Sequence, residues 1–514
     1  MTVGSRLAVT VGGAARLRVI TLLACVLALE SADSATIGAI AAPLEAALHI
    51  GNTQLGLLVT VSTAVGALAA IPAGALVDRV NRVRLLTVAV VLWSLAMLIS
   101  GFASSFLMLL VTRLALGAVI AAAGPAIASL TGDFFPAADR GRIFGFVLTG
   151  ELVGAGVGYL IAGSLAGLLS WRASFLVLAI PGALLALSLR RLLPEPARGG
   201  QSQIGIGDTE ILVPRSAGAP APDQGSGGPA GHPPPPPAEG DAERAVRRAA
   251  ILPHRDRVLD RDPVTMGLGG AIRYVLTVRT NVLLILASAL GYFFYAGLRI
   301  FAVEFLRGRF SLSQSTGSAL LVLIGAGSVL GVLTGGRIAD RLIARGHIAG
   351  RPLVAGLAFL LAAGLLLPGL LIMTTLVAVP LMFCAAAAYS ATNPPLDAAR
   401  LDVMQHHLWG RAEAVRTTIR SLFVAAAPLV FGYVSTQFGG QVVGLAGSTG
   451  STKAPGAAAI LATNARGLDL TFLIMLTPLV AAGALLIVVG RRTYPRDVAT
   501  AVASEQQREW GRGG

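Results

Sequence analysis

The sequence carries little charge for its length. Asp, Glu, Lys and Arg make up 13% of its 514 residues, whereas 54% are hydrophobic. A soluble globular domain of this size needs more charge to cover its surface. The composition therefore excludes a soluble protein and predicts a chain that lies in a lipid bilayer.

Cysteine and histidine are scarce as well. The two cysteines, Cys25 and Cys384, lie in separate apolar segments, and neither has a CxxC partner. The sequence therefore predicts no disulfide framework, no metal site and no cofactor. The six histidines all lie outside the apolar segments, which leaves none for a proton relay within the membrane.

Long apolar segments dominate the rest of the chain. A helix needs roughly 20 residues to cross about 30 Å of hydrocarbon, and such segments occur at 18–41, 55–77, 85–103, 106–130, 143–168 and 172–189. A second set follows at 281–306, 316–338, 352–373, 375–397, 414–437 and 468–490. The predicted fold is an all-α membrane protein with 12 transmembrane helices in two six-helix bundles, residues 18–190 and 281–490.

The two sets share one signature. Gly74-Ala-Leu-Val-Asp78-Arg79 and Gly336-Arg-Ile-Ala-Asp340-Arg341 each close an apolar segment and open a basic loop, 262 residues apart. The same offset carries the start of the first segment to the start of the seventh. Duplicated halves around a central site are typical of carriers that expose the site to each side of the membrane in turn.

Arginine clusters on alternate loops and gives the chain its net charge of +14. The basic stretches are the N-terminus at 1–17, the loops after the second, fourth, eighth and tenth segments, and the C-terminus at 491–514. By the positive-inside rule, both termini and the central linker are predicted to be cytoplasmic in a multi-pass protein of the cytoplasmic membrane. This distribution argues against nucleic-acid binding.

The linker at 191–265 is rich in Gly, Pro and Ser and contains the run Pro233 to Pro237. Such a composition cannot bury a core, so the linker is predicted to be a disordered tether. Docking through the polyproline run is the alternative. Residues 266–280 are predicted to form a short interfacial helix, because Ile272, Val275 and Leu276 share one helical face.

Four ionisable residues lie inside predicted spans, where charge is costly and usually functional. Glu30 and Asp33 share one face of the first span, Arg113 lies in the fourth and Arg299 in the seventh. Asp33, Arg113 and Arg299 lie about 10 to 12 Å from the outer ends of their spans, and Glu30 about 16 Å. Pairing with Arg113 favours an ionised Asp33, whereas the deeper Glu30 is the predicted proton carrier.

Two alternatives remain for these charges. Asp33 and Arg113 can form an ion pair that serves packing alone, with Arg299 reaching outward to Glu304. Glu151 in the fifth span is a secondary candidate for the proton carrier, although a place near the cytoplasmic end would also let it reach the loop arginines.

Aromatic residues mark a candidate substrate cavity in the second half. The offset carries Glu30 and Asp33 to Tyr292 and Tyr295 of the seventh span. Aromatic residues in spans also serve packing, which is the alternative here. The residues predicted to line the cavity are Tyr292, Tyr295, Arg299, Phe383 and Tyr389.

Two six-span halves, a long inner linker and the paired Gly-x-x-x-Asp-Arg loops resemble the major facilitator superfamily from about residue 18 to residue 490. The resemblance implies a cavity lined by the first, fourth, seventh and tenth spans, with gates at the inner loops. The implied gate residues are Gly74, Asp78, Arg79 and Arg82 in the first half and Gly336, Asp340 and Arg341 in the second.

Two finer resemblances concern the mechanism. Arg113-x-x-x-Gly117 is similar to the fourth-span motif of proton-coupled drug antiporters, which implies that Glu30, Asp33 and Arg113 act in proton coupling. Asp78-Arg79-Val-Asn81-Arg82 and Gly154-Ala-Gly156-Val-Gly158-Tyr159 are similar to spinster-type lipid carriers.

The predicted function is secondary active transport of a small amphipathic compound, with H+ as the driving ion and export as the direction. Proton-coupled uptake of a sugar or organic anion is the alternative, with Arg113 and Arg299 binding a carboxylate. From other classes, a non-transporting membrane sensor and a lipid-handling membrane enzyme are considered, although the short outer loops argue against an enzyme. The predicted partners are the bilayer and a small-molecule substrate, and the chain is predicted to be monomeric.

Overall fold

The computed structural model describes residues 12–135, 137–196, 204, 241–259, 266, 268–405, 408–447 and 467–513. These residues are helical almost throughout, and no strand occurs among them. Twelve helices in this part of the chain are long and apolar enough to cross a membrane. The predicted all-α membrane fold is therefore confirmed.

The first half consists of six spans and one short helix. Its described helices are α1 Ala14–Ala39, α2 Ala41–Leu48, α3 Asn52–Arg79, α4 Arg82–Gly101, α5 Phe106–Ile120, α6 Ala123–Phe134, α7 Ala137–Leu168 and α8 Trp171–Leu192. The fourth span is divided into α5 and α6. Polar caps fix several helix starts, since Asn81 Oδ1 accepts a hydrogen bond from Arg84 N (2.7 Å) and Ser105 Oγ accepts one from Met108 N (3.3 Å).

The second half repeats this plan and continues into a helical tail. Its described helices are α9 Asp241–Arg248, α10 Leu268–Thr277, α11 Arg279–Phe310, α12 Gln314–Ala344, α13 Gly350–Leu371, α14 Thr375–Ser390, α15 Asn393–Asp402, α16 Trp409–Gly447, α17 Thr477–Leu485 and α18 Arg491–Gly513. A π-helical turn, Leu486–Gly490, joins α17 to α18. The C-terminal segment therefore extends the last span as a helix.

A glycine stripe sets the position of α7. Gly150, Gly154 and Gly158 pack against alanines of α1, and a Cβ atom on Gly154 would lie 2.1 Å from Ala28 O. The two backbones approach this closely because the stripe has no side chains. The contact brings the middle of α7 beside the part of α1 that carries Glu30.

We call the end at which α1 begins and α8 ends the linker end, and the opposite end the loop end. The two halves meet at the loop end. Gly38 on α1 packs against Ile300 on α11, which is its own equivalent under the 262-residue offset. Gly56 on α3 packs against Pro428 on α16. These contacts follow the pseudo-twofold relation expected of duplicated halves.

The same helices carry exposed leucines farther toward the linker end. Leu68 on α3, Leu152 on α7, Leu333 on α12 and Leu422 on α16 are all exposed there. The inter-half contacts named above therefore close the loop end.

The prediction of a wholly disordered linker at 191–265 is wrong for its described parts. α9 buries Ala242 and Val246 in the core of the C-terminal half. Two main-chain N–H groups farther along, those of His254 and Leu259, donate hydrogen bonds to hydroxyls of α18 (3.0 and 3.1 Å). Ala242 and Val246, one helical turn apart, are enough to dock α9. Two residues hardly change the composition of the linker, so the composition did not predict this contact. The polyproline run lies outside the described residues.

Within 266–280, where a short interfacial helix is predicted, the structure contains α10. Ala271 and Val275 are buried, whereas Leu276 is exposed. Tyr274 Oη donates a hydrogen bond to Arg257 O (3.4 Å). The helix therefore rests partly on the end of the linker.

Candidate transport site

A buried ion pair joins α1 to α5. Arg113 Nη1 lies 2.8 Å from Asp33 Oδ1, and the two side chains are 2% and 7% exposed. Arg113 Nη2 also donates to Ser100 Oγ of α4 (3.3 Å), and the guanidinium lies over the Phe175 ring of α8 at 5.0 Å. Arg113 therefore ties four helices of the first half together.

Glu30 lies about one helical turn from Asp33 toward the linker end. It is half-buried and lines a small cleft between α1, α4 and the junction of α5 and α6. The volume of the cleft is about 30 Å³, enough for a water molecule. Its other lining residues are Val26, Leu29, Leu86, Ala89, Val90, Trp93, Val119, Ile120 and Ala123. Glu30 is thus a carboxylate with an apolar surround and space for water.

Arg299 and Glu151 lie between the two halves. Tyr159 Oη donates a hydrogen bond to the main-chain oxygen of Arg299, which links α7 to α11. The Arg299 guanidinium interacts electrostatically with Tyr295 and Glu151, and its buried Nη2 has no hydrogen-bond partner among the described residues. Arg299 therefore has hydrogen-bonding capacity left for a ligand.

The placement of Glu151 near the cytoplasmic end is wrong. Glu151 is exposed and interacts electrostatically with Glu30 and Arg299. The packing of Gly150 on Ala24 brings it to that level. The alternative pairing of Arg299 with Glu304 is not the one seen here, since Glu304 interacts with Arg307.

Three tyrosines of the second half lie near Arg299 and Glu151. Tyr295 stacks on Tyr389 with ring centroids 5.6 Å apart, and Tyr292 meets Tyr295 edge-on at 6.5 Å. The Arg420 guanidinium of α16 lies 4.5 Å from the centre of the Tyr292 ring. Aromatic rings with polar tips and a nearby cation suit an amphipathic ligand.

Phe383 takes a different position from the tyrosines. It packs against Gly327 of α12, where a Cβ atom would lie 3.3 Å from the Phe383 ring. The cavity residues predicted from the sequence do not include Arg420. The contact of Arg420 with Tyr292 depends on how α16 is rotated about its axis, which the sequence pattern does not indicate.

At the linker end of the first half, Arg82 is buried and makes several polar contacts. Arg82 Nε lies 2.7 Å from Glu195 Oε1, and Nη1 donates to Ser129 Oγ (3.1 Å) and to Asp133. Val83 N donates to the other Glu195 oxygen (2.8 Å). These contacts fix the start of α4 to the end of α6 and to the residues after α8.

The second half has an equivalent arrangement around Arg351. Arg351 pairs with Asp402 and with Asp340 Oδ1 (3.4 Å), and Tyr494 Oη donates to Asp402. Arg82 and Asp133 are 51 residues apart, as are Arg351 and Asp402. This equal spacing in the sequence could have identified both pairs. The 262-residue offset does not relate them, because it carries Arg82 to residue 344 and not to Arg351.

The remaining predicted gate residues differ in their surroundings. Arg79 and Arg341 are exposed at the linker end. A Cβ atom on Gly336 would lie 3.2 Å from Pro394 Cβ, so Gly336 permits the contact of α12 with α15. Gly74 and Asp78 lie outside the residues whose side chains the structure describes.

The model of the Major Facilitator Superfamily matches residues 23–428 of this chain. The chain belongs to that superfamily. The match covers most of the chain and places it in a family of membrane transport proteins.

Individual relatives match over shorter stretches. The transporter is 32% identical over 187 residues to protein spinster homolog 1 of Rattus norvegicus, which is 35% of each chain. It is 27% identical over 140 residues to the probable L-galactonate transporter of Escherichia coli strain K12, which is 27% of this chain and 31% of that one. The match thus spans about a third of the length of these curated relatives.

One solved structure matches over nearly the whole chain. It is the crystal structure of a bacterial homolog to the human lysosomal transporter Spinster in an inward-facing and unoccupied conformation. The TM-score is 0.74 at 22% sequence identity, over 94% of this chain and 98% of that one. The predicted major facilitator fold and the spinster-type resemblance are confirmed.

Proposed function

We propose that this transporter uses a proton gradient to export a small amphipathic organic compound by alternating access. The linker end is the cytoplasmic end in this proposal, because the arginine-rich loops, the start of α1 and the helix α18 lie there. In this proposal the halves part at the linker end to receive the substrate from the cytoplasm.

The observation that carries the proposal is the contrast between the two carboxylates of α1. Asp33 is held by Arg113 at 2.8 Å inside the first half. Glu30 instead lines an apolar cleft with room for water and interacts electrostatically with Glu151 and Arg299 between the halves. Protonation of Glu30 changes the charge of the layer that the substrate must pass, which couples proton binding to transport.

The tyrosines near Glu151 and Arg299 support an amphipathic substrate. Tyr292, Tyr295 and Tyr389 offer ring faces and hydroxyls, and Arg420 offers a cation beside them. An apolar or aromatic body can pack on the rings while a polar group meets Glu151, Arg299 or Arg420.

A second candidate function is proton-coupled uptake of an organic anion or sugar acid. The specific support is Arg299, whose buried Nη2 has no hydrogen-bond partner among the described residues. The similarity to a probable L-galactonate transporter points the same way. A carboxylate placed at Arg299 would satisfy this nitrogen.

Transport by purified protein in proteoliposomes of known orientation distinguishes the two. The panel contains lysolipids, lipophilic cations, sugars and organic acids, each tested in both directions with an imposed pH gradient. Export of an amphipathic compound against its own gradient is expected, and Tyr292→Ala is expected to weaken it. Tyr433→Ala, an exposed tyrosine near the loop end of α16, is the matched control. Uptake of an organic acid that is lost in Arg299→Gln would replace the proposal with the second candidate.

A further inference from the structure

A buried polar cluster bridges the two halves at the closed loop end. We call it the loop-end cluster: Glu45 of α2, Asn52 of α3, Glu304 of α11 and Ser435 of α16. Their exposures are 6%, 3%, 4% and 1%. Two members belong to each half, so the cluster has to divide when the loop end opens.

The Asn52 amide joins the two carboxylates. In the orientation that satisfies both ends of the amide, its nitrogen donates to Glu45 Oε1 (2.5 Å) and Glu304 Oε2 (3.2 Å). Its oxygen accepts from Ser435 Oγ (2.8 Å). Both carboxylates therefore bind one NH2 group, and their nearest oxygens lie less than about 6 Å apart, within the range where one charge affects the ionisation of the other.

The seam around the cluster is formed by neutral groups of α3 and α16. Thr53 Oγ1 lies 2.9 Å from Thr436 Oγ1, and Leu429 N donates to Thr60 Oγ1 (3.2 Å). Closure of this seam removes water from the carboxylates, which strengthens the repulsion between them. A closed seam with both carboxylates ionised is therefore costly.

Charged and titratable groups of α2, α11 and α16 lie near the loop-end cluster. Arg307, three residues after Glu304 on α11, interacts with it electrostatically. Arg309 pairs with Asp469 of the same half (3.1 Å). His49 at the end of α2 is exposed, and so is Tyr433 of α16. Arg307 offsets part of the negative charge, and a proton held between the two carboxylates would offset more.

We propose that Glu45 and Glu304 share a proton while the loop end is closed, and that loss of this proton separates the halves at that end. In the open arrangement the two carboxylates lie on different halves in water, so each ionises independently. Opening therefore releases a proton at the loop end. This shared proton is separate from Glu30, and its effect on the loop end does not require substrate. The proposal can therefore fail while the proposed proton-coupled export holds, and the reverse is also true.

Spin labels across the loop end test the proposal. Phe102→Cys and Met373→Cys place labels at exposed loop positions of the first and second half, in a background with Cys25 and Cys384 replaced by alanine. Label distances in lipid nanodiscs are recorded from about pH 5 to about pH 9. This is the range in which a proton shared by two close carboxylates is expected to dissociate. The ratio of closed to open populations is expected to fall by up to about tenfold per pH unit as one proton dissociates.

Substitutions identify the responsible groups. Glu45→Gln and Glu304→Gln each remove one carboxylate of the pair. Each variant is therefore expected to keep the loop end closed across the pH range, so that the label distance no longer changes with pH. Asn52→Asp adds a third carboxylate and is expected to open the loop end at neutral pH.

Asp469→Asn is the matched control, since it changes a carboxylate at the same end that pairs within one half. It is expected to keep the wild-type pH response. A wild-type distance that does not change with pH would overturn the proposal. So would an unchanged pH response in either glutamine variant, and the two variants provide separate tests if one of them does not fold.

Discussion

Asp33→Asn is expected to destabilise the first half strongly. The Arg113 guanidinium is buried, and its contacts besides Asp33 are the neutral Ser100 hydroxyl and the Phe175 ring. Removal of one partner of a buried ion pair costs about 3–5 kcal/mol, because the other charge stays in a low-dielectric site. Ser100, Phe175 and the new amide oxygen still contact Arg113, so we expect a loss of about 3 kcal/mol.

A double-mutant cycle isolates the charge effect. Arg113→Gln removes the stranded cation, so the double variant Asp33→Asn with Arg113→Gln is expected to recover about 1–2 kcal/mol relative to Asp33→Asn alone. Unfolding free energies come from denaturant titration in mixed micelles, followed by the fluorescence of Trp93 and Trp171 in the same half. Asp469→Asn is the control, because it breaks a more exposed pair and is expected to cost about 1 kcal/mol or less.

Two results would refute this reasoning. One is a loss for Asp33→Asn no larger than that for Asp469→Asn, which would mean that water or lipid headgroups already solvate Arg113. The other is a double variant no more stable than Asp33→Asn, which would show that the pair contributes through shape and hydrogen bonding and not through charge.

Three further predictions concern the linker, the seam and the gate. Replacing 205–235 with a Gly-Ser tether is expected to leave transport intact, whereas the same replacement at 241–259 is expected to lower the stability of the second half, as thermal unfolding would show. Gly56→Ala is expected to favour loop-end opening in the spin-label assay, because its Cβ would lie 2.2 Å from a carbonyl oxygen of α16; Gly124→Ala, with nothing within 4 Å, is the control. Asp340→Asn is expected to slow substrate exchange with little change in affinity, since it loosens a contact far from the tyrosines.

Each of these has a contrary outcome. Transport that fails without 205–235, in protein that inserts normally, would give that segment a docking role. An unchanged label distance in Gly56→Ala would show that α3 and α16 can shift to admit a methyl group. A fall in affinity at constant turnover for Asp340→Asn would contradict its assignment to the gate.

Much of the fold follows from the sequence because span length is a one-dimensional property. Apolar segments of sufficient length and a repeated loop motif define the number of spans and the two halves without any knowledge of packing. The contact of Gly38 with Ile300 obeys the offset taken from the loops. The contact of Asp33 with Arg113 agrees with their similar depths, since opposite charges at one level of a membrane bundle tend to pair.

Other contacts depend on the rotation and registry of the helices, which residue depth and sequence spacing do not determine. Arg420 reaches Tyr292 because of the rotation of α16, which packing against α3 determines. The level of Glu151 follows from the registry of the glycine stripe on α1. The docking of α9 depends on two apolar side chains in a polar segment, too few to change its composition.

The central claim is that Glu30 carries the coupling proton, and proton flux in Glu30→Gln tests it most directly. Wild type, Glu30→Gln and the matched variant Glu505→Gln are compared in proteoliposomes with an internal pH indicator and an imposed substrate gradient. Wild type and Glu505→Gln are expected to move protons in the direction opposite to substrate, whereas Glu30→Gln is expected to exchange substrate passively without proton movement. Gradient-driven transport by Glu30→Gln at wild-type rates across the pH range would contradict the account.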